Sequence, residues 1–354
     1  MDPESPSQIP TAEPLRKPLP FSPQWVATYA PEMPCIPATA VALEHLPGAP
    51  RISIVVIFYR MRRQAMKTLQ SLTAGYQRGV DPADYEVIAV ENESQEMLDP
   101  AEVEALGPQF RYVARREVEP TPVHSINYGA SLARANMIAV MIDGARMLSP
   151  GVVSWTLAAQ RISQDVVIAV PGYHLGEKLQ QEAMLAGYDE TVEQALLEGI
   201  HWPGDGYRLF EISCLSGTSA GGVFKPIGES NFVAVSRALW SRLGGFDPRF
   251  NETGGGQVNL DFYKRACETP GTLPVLLAGE GSFHQFHGGI TTGQKGEIRR
   301  GIMAAHFAQY AAIRGGPYRP PDKRPFLLGA FPDCTMKTME QAARNARAAL
   351  GEQL

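Results

Sequence analysis

Cysteine is scarce, and its few positions indicate neither a metal ribbon nor a disulfide framework. The 354 residues include four cysteines, none of them in a Cys-x-x-Cys pair. Zinc ribbons and small disulfide-stapled folds depend on closely spaced or numerous cysteines. We therefore expect a hydrophobic core to hold the fold, in a reduced and cytoplasmic setting.

Long apolar segments and clusters of positive charge are also missing. The longest largely apolar run, residues 52–59, is far shorter than the roughly 20 residues of a membrane-spanning helix. The acidic, proline-rich start does not resemble a signal peptide. The net charge is −5, without the clustered Lys and Arg that nucleic-acid binding needs. We expect a protein with no transmembrane segment and no nucleic-acid partner.

Apolar, β-branched segments alternate with helical patterns from Arg51 onward. Apolar residues make up 44% of the chain and charged residues 19%, so a sizeable core is possible. The predicted strands are residues 52–58, 85–90, 110–114, 138–142, 166–170 and 231–235. The predicted helices are residues 61–77, 125–136, 152–162, 179–199, 238–243 and 335–350. This alternation predicts an α/β fold with a mainly parallel, doubly wound, Rossmann-like sheet and helices on both faces.

Composition divides the chain into three segments. Residues 1–50 are proline-rich and predict a tail or an arm that packs on the core. Residues 51–313 carry the α/β pattern, and residues 314–354 predict a proline-rich linker followed by a terminal helix. The alanines and mixed charges of that helix favour a surface position or a contact with a partner, including a second copy of the chain.

Polar residues follow three of the predicted strands at the points where the strands end. They are Phe58-Tyr59-Arg60, Glu91 and Asp143. Ligands of open α/β sheets bind outside the carboxyl ends of the strands, so these positions predict a nucleotide-binding crevice. A carboxylate at Glu91 could accept from a base N–H, for example N3–H of uracil. Alternatively, Glu91 is a solvated turn residue and Asp143 caps a helix.

Two further motifs contain candidate chemistry. Three glycines at 254–256 open a helix that carries Gln257 and Asp261 on one face, and a carboxylate there could act as a general base. Later, His284 and His287 precede two glycines, and either imidazole could complete a metal shell begun by Asp143. The alternatives are a flexible loop with a surface aspartate, and a structural histidine beside an exposed one.

In this order, the motifs resemble those of the family 2 glycosyltransferases, which have the GT-A fold. Residues 52–59 resemble the family's opening V-S-I-I-I-P-x-Y strand, and residues 90–94 resemble its V-D-N-G-S. Residues 127–129 match part of an R-N-x-G motif, and residues 142–151 match L-D-x-D-D-x-x-x-P-G. Residues 233–247 resemble the motif on the acceptor side. The resemblance covers roughly residues 51–290.

The sequence departs from the family pattern at two places where the chemistry uses a charge. Ala145 replaces the second carboxylate of the D-x-D motif. The family's later E-D, whose aspartate is typically the base, aligns with Gly256-Gln257. Arg146 could partly replace the missing carboxylate by contacting phosphate directly, although its charge repels a metal. Metal-independent transfer is therefore also open.

The resemblance implies inverting transfer of a sugar from a nucleoside diphosphate sugar to an acceptor hydroxyl, with Mg²⁺ or Mn²⁺ on the diphosphate. The acceptor is an unspecified carbohydrate, lipid or protein. The implied bases are Asp261 first and Glu252 second, and the implied metal ligands are Asp143, His284 and His287. The implied donor contacts are Phe58, Tyr59, Arg60, Glu91, Asn127, Asp143 and Arg146. Residues 202–207 could stack on a sugar or pack in the core.

Two other classes of protein are alternatives to this one. A catalytically inactive protein that binds a nucleotide sugar or a partner on the same fold agrees with the lost aspartate and with Gln257. A nucleotidyltransferase is disfavoured, because its first strand is usually followed by a loop rich in glycine and basic residues. The loop after the first strand here, residues 58–66, is basic but has no glycine.

Overall fold

A computed structural model describes residues 48–116, 119–287 and 296–351. The arm expected over residues 1–50 lies almost entirely outside these ranges. Among the described residues, no helix combines the length and the apolar character needed to cross a bilayer.

Eight strands form one large sheet. In chain order, the strands within the described residues are β1 (Ile52–Phe58), β2 (Tyr85–Asn92), β3 (Phe110–Arg115), β4 (Met137–Met141), β5 (Arg146–Leu148), β6 (Val166–Ala169), β7 (Gly172–Leu175), β8 (Ser213–Leu215), β9 (Val233–Ser236), β10 (Leu273–Ala278), β11 (Ser282–His284) and β12 (Phe326–Gly329). The large sheet has the order β12-β10-β6-β9-β4-β1-β2-β3. Only β9 runs antiparallel to its neighbours β4 and β6, so the predicted mainly parallel sheet is confirmed.

Helices cover both faces of this sheet. They are α1 (Arg62–Gln70), α2 (Pro100–Glu104), α3 (Val123–Ser131), α4 (Val152–Ala159), α5 (Gln180–Ala183), α6 (Glu190–Gly199), α7 (Arg237–Leu243), α8 (Val258–Glu268), α9 (Gly296–Arg314) and α10 (Met336–Ala348). Alternate side chains of a strand point to opposite faces. Accordingly, Ile54 of β1 packs in one core with Leu69 of α1, whereas Val55 packs in the other with Ile126 of α3. The doubly wound arrangement follows from these two cores.

A second, four-stranded sheet lies beside the large one, with the order β5-β11-β7-β8. Its core includes the stacked rings of Tyr173 and Phe283, whose centroids lie 5.1 Å apart. Only the turn at residues 142–145 separates β4 of the large sheet from β5 of the small one. In the small sheet His284 of β11 is paired with Arg146 of β5. The turn after β4 is thereby placed next to the end of β11.

Two predicted helices are shorter than expected. The helix predicted at 61–77 ends at Gln70, because Ser71 bonds back to the carbonyl of Thr68 and accepts from the backbone of Leu148 in β5. The helix predicted at 179–199 is two helices, α5 and α6. Gly187 between them has φ +89°, a left-handed conformation that glycine adopts easily.

A strand that was not predicted lies between the proline-rich linker, residues 317–325, and the terminal helix. Residues Phe326–Gly329 form β12 and pair in parallel with β10 at the edge of the large sheet. Helix α10 then packs on the small sheet, where Ala342 is buried and Gln341 accepts from the backbone N–H of Leu215. The small-residue face of α10 is therefore covered by the protein's own small sheet.

Candidate metal and anion site

Asp143 lies in the tight turn that leaves β4. Its Oδ1 accepts from the backbone N–H of Ala145 at 3.0 Å. Gly144 rests against the buried ring of Phe58, where a Cβ would collide. The hydroxyl of Thr68 on α1 donates to the Gly144 carbonyl at 2.6 Å. The turn is therefore fixed by β1 and α1, and it holds the Asp143 carboxylate at the carboxyl edge of the sheet.

Two histidines converge on this carboxylate. His284 Nε2 lies 3.1 Å from Asp143 Oδ2, and His287 Nε2 lies 3.8 Å from Oδ1. The two Nε2 atoms are 2.9 Å apart. Ligand atoms around one ion, at bonds of about 2.1 Å, lie about 3.0–3.4 Å from one another. The three side chains are therefore spaced to close around a single metal ion, and within the described ranges they are the one such group of three.

The protonation states suit metal binding. Burial lowers the pKa of His284 well below its usual value, and the charge of Arg146 lowers it further. Burial alone would raise the pKa of Asp143, but His287, His284 and Arg146 together hold it well below its usual range. A neutral imidazole and an ionised carboxylate are the forms that bind metals.

Arg146 offers a free donor beside the same carboxylate. Its Nε lies 3.2 Å from Asp143 Oδ2. Its Nη1 is buried and has no hydrogen-bond partner among the described residues. A buried N–H without a partner is costly, so this atom favours an anionic ligand.

His174 of β7 belongs to the same cluster, although no sequence motif indicated it. Its ring centroid lies 5.3 Å from that of His284. Burial and the neighbouring Arg146 lower its pKa to about 3, so the ring is neutral. Its Nδ1 accepts from the backbone N–H of Gln180. Strand β7 is only four residues long, and no motif surrounds this histidine.

The end of β2 presents a second unpaired group. Glu91 is fully buried, and its Oε2 accepts from the backbone N–H of Leu98 at 2.9 Å and from the hydroxyl of Tyr112 at 2.7 Å. Its Oε1 has no partner within the described part of the chain. At the end of β1, Tyr59 is exposed and Arg60 stacks on its ring at 5.0 Å. Phe58, by contrast, is buried in the core.

Asn127, predicted as a donor contact, is occupied by the backbone. Its Nδ2 donates to the carbonyl of Phe246 at 2.8 Å, and its Oδ1 accepts from the N–H of the same residue at 2.9 Å. Both ends of the amide thus hold the backbone at Phe246. This geometry favours a structural role for Asn127.

Asp261, the first candidate base, is enclosed by arginines. It is 1% exposed. Arg265 Nε donates to its Oδ2 at 2.7 Å, and Arg314 donates to both of its oxygens. Arg314 also bonds to the buried carboxylate of Asp247. Both oxygens of this buried carboxylate are occupied by guanidinium donors, so the geometry favours a structural role.

Glu252, the second candidate base, is more accessible. It is half-buried, precedes the turn at Thr253–Gly255 and faces His306 of α9. Gln257, which stands where the resemblance expects an acid, is buried, and its Oε1 has no partner among the described residues. In the segment 202–207, Trp202 and Tyr207 pack against the core of the small sheet, and the Tyr207 hydroxyl donates to Glu280 at 2.7 Å.

Comparisons with known proteins give structural neighbours but no sequence relatives. No protein-family model matches the sequence, and no curated protein matches it. S. aureus TarS matches with a TM-score of 0.43 and 11% identity, over 74% of this chain and 40% of TarS. TarS 1-349 in complex with UDP matches with a TM-score of 0.45 and 11% identity, over 74% of this chain and 65% of that one.

A mannosyltransferase, PcManGT from Pyrobaculum calidifontis in complex with GDP-Man and Mn²⁺, matches with a TM-score of 0.44 and 16% identity. That match covers 92% of this chain and 80% of PcManGT. The chain spans less than two thirds of TarS. These TM-scores and identities are too low to indicate an activity for this chain.

Proposed function

We propose that the protein is a glycosyltransferase that moves a sugar, with inversion, from a nucleoside diphosphate sugar to an acceptor hydroxyl. One observation carries the proposal. The ionised Asp143 and the Nε2 atoms of His284 and His287 converge on one point, beside an Arg146 N–H that has no hydrogen-bond partner among the described residues. Such a group suits a metal ion and an anion bound side by side.

The charges favour a metal-dependent donor site. Asp143 and Arg146 cancel each other, and His284 and His174 are neutral. The ionised Asp143 carboxylate repels a diphosphate unless a cation lies between them. A divalent ion would make the cluster positive and complementary to the donor, and when bound it would stabilise the charge that develops on the leaving diphosphate. We therefore prefer metal-dependent transfer over the metal-independent alternative.

The ligand set favours Mn²⁺ over Mg²⁺. Mg²⁺ prefers oxygen ligands throughout, whereas imidazole suits the transition metals. Two imidazoles and one carboxylate leave open positions for phosphate oxygens. Mn²⁺ accepts both kinds of ligand, so it is the cofactor that we propose.

Other residues of the site could contact the phosphate and the nucleobase of the donor and the hydroxyl of the acceptor. Arg146 Nη1 would donate to a phosphate oxygen, and the unpaired Oε1 of Glu91 would accept from a base N–H. A nucleobase that lacks this N–H would leave a buried carboxylate oxygen unpaired, so the site would discriminate between donors with different nucleobases. For the acceptor hydroxyl we propose Glu252 as general base in preference to Asp261, because the Asp261 oxygens are taken by arginines.

A protein that binds the donor without transferring the sugar is the second candidate. Gln257 favours it, since an amide cannot take a proton at the position where the resemblance expects an acid. Both candidates share the donor site, and they differ only in turnover.

A thermal-shift panel with UDP-, GDP- and dTDP-sugars, each with Mn²⁺, Mg²⁺ or chelator, tests the donor site. A ligand at 100 times its Kd stabilises the native state by about 2.7 kcal/mol, which raises the melting temperature. We expect a shift with one donor class and Mn²⁺, and its loss in Asp143→Ala. Asp165→Ala, which removes a surface ion pair with Arg242, is the matched control. No shift with any donor and metal would refute the proposed donor site.

Release of nucleoside diphosphate then separates transfer from binding. Water can replace the unknown acceptor, so slow donor hydrolysis is the readout. We expect Glu252→Gln to lower the rate by about 10²–10⁴-fold, the usual contribution of a general base. The donor-dependent thermal shift should persist in that variant. A wild-type protein that binds a donor but releases no product would establish the binding-only candidate.

A further inference from the structure

The backbone N–H and carbonyl of Phe286, which lies between the two histidines, are both hydrogen-bonded to side chains of neighbouring helices. Its N–H donates to Glu193 of α6. Its carbonyl accepts from Gln64 Nε2 at 2.7 Å and from Arg63 Nη2 at 3.0 Å, both on α1. No rotation of this peptide is possible without breaking bonds to two separate helices.

The neighbouring residue is fixed in the same way. The Gln285 side chain donates to the carbonyl of Gln64 at 3.1 Å and to the hydroxyl of Thr68 at 2.9 Å. Its backbone N–H donates to the carbonyl of Ala145, two residues after Asp143, at 2.9 Å. Thr68 also holds Gly144, so α1 acts as a common support for the Asp143 turn and the histidine segment.

Glu193 is an unusual residue for such a contact. Its side chain is 0% exposed although it lies on the amphipathic helix α6. Its Oε1 has no hydrogen-bond partner in the described chain and lies 3.7 Å from Arg63 Nη1. Burial raises its pKa to about 7. Replacing a whole buried ion pair by apolar residues is often neutral or stabilising, so the buried Glu193–Arg63 pair is weak evidence for a role in fold stability.

We propose that Glu193 is a positioning residue, which aims the His284 and His287 imidazoles at Asp143 by holding the Phe286 peptide. The proposal rests on the proposed function only in assigning those imidazoles to a metal. Hydrogen-bonding partners behind metal ligands typically change metal affinity by 10–100-fold when removed. Glu193 would not contact the imidazoles themselves; it would hold the Phe286 backbone, which lies between the two ligands.

Three variants test this role. Glu193→Met removes the acceptor and the buried acid at similar length; loss of the buried acid offsets part of the cost of an unpaired Phe286 N–H, so we expect the variant to fold. Glu193→Gln keeps an acceptor oxygen for the Phe286 N–H, so it should keep most of the exchange protection and of the Mn²⁺ affinity. Glu190→Gln is the matched control, because the exposed Glu190 lies one turn earlier on α6 and pairs with the same Arg63.

Two measurements are made on each variant. Amide hydrogen exchange of the metal-free protein should accelerate at Gln285 and Phe286 in Glu193→Met, with the strands of the large sheet unchanged. Titration calorimetry with Mn²⁺ should show affinity weakened by about 10–100-fold in the same variant. Glu193→Gln should be close to the wild type in both, and Glu190→Gln should equal it.

The outcomes separate this inference from the proposed function. If the wild type binds no Mn²⁺, the metal site fails, and exchange alone decides whether Glu193 holds the histidine segment. Unchanged exchange at Gln285 in Glu193→Met overturns the inference. So does wild-type Mn²⁺ affinity in that variant. If Glu193→Met does not fold, Glu193→Gln decides. Loss of exchange protection or of Mn²⁺ affinity in Glu193→Gln would then overturn the inference.

Discussion

At the scale of single residues, Gly144 determines where Asp143 can lie. A Cβ at position 144 would collide with the ring of Phe58 and approach the carbonyl of Ile57 too closely. Phe58 is fully buried and cannot move aside without disturbing the core around β1. The Asp-Gly pair at the end of β4 is therefore required by packing as well as by chemistry.

Gly144→Ala should displace the turn and with it the Asp143 carboxylate. We expect a loss of about 1–3 kcal/mol in the free energy of unfolding, which is typical of overpacking, together with weaker Mn²⁺ binding. Gly301→Ala, in α9 where a Cβ meets nothing, is the control and should gain about 0.5–1 kcal/mol. Urea unfolding and Mn²⁺ titration measure both quantities. Equal stability of Gly144→Ala and the wild type would contradict the steric argument.

The sequence identified the residues of the candidate site unevenly. Asp143, His284 and His287 stand in motifs at strand ends, and the structure brings them together. Asp261 also stood in a motif, but its environment could not be foreseen. Arg314, which encloses it, is far away in sequence and reaches it only because α9 packs beside α8. Whether a carboxylate is open or enclosed depends on such tertiary contacts.

At the scale of elements, long strands were predictable and short ones were not. Strand β1 is apolar on both faces, which marks it as a buried parallel strand. The strands β5, β7, β8 and β11 of the small sheet have three or four residues each, too few to show a period. Strand β12 forms because the edge of β10 has unpaired backbone groups, and the position of that edge cannot be predicted from the sequence.

Helix α10 offers a direct test of its packing on the small sheet. Ala342 is buried over Gly222, where even a Cβ on the glycine would collide with it. We expect Ala342→Leu to destabilise the protein by about 1–3 kcal/mol through overpacking. Ala348→Leu, at an exposed position of the same helix, should be nearly neutral.

Urea unfolding measures the stability of both α10 variants, and size-exclusion chromatography reports their oligomeric state. Similar stabilities would mean that α10 does not pack as described. A mass change with Ala348→Leu alone would favour the partner contact that the sequence suggested.

At the scale of the whole molecule, the buried acid Glu193 makes stability depend on pH. Its pKa is raised from 4.5 to about 7 by burial. The folded state then holds its proton more tightly than the unfolded state. This contribution to stability is fully present below pH 4.5 and is lost as the pH rises through about 7. A shift of this size corresponds to about 3 kcal/mol.

Glu193→Met should remove that dependence. As the pH rises from about 4 to about 8, we expect the difference in unfolding free energy to shift by about 3 kcal/mol in favour of the variant. Urea unfolding of both proteins across this range measures the difference, and Glu190→Gln serves as the control. A constant difference between wild type and Glu193→Met would show that Glu193 titrates normally.

The position of β12 has a consequence for biosynthesis. This strand forms the outer edge of the large sheet, next to β10, yet it is synthesised long after β10. Until Gly329 has left the ribosome, the backbone of β10 has an open side that can pair with another chain, and such edges promote aggregation. The sheet is therefore completed only after β12 has been synthesised, and until then a neighbouring nascent chain can pair with β10 in its place.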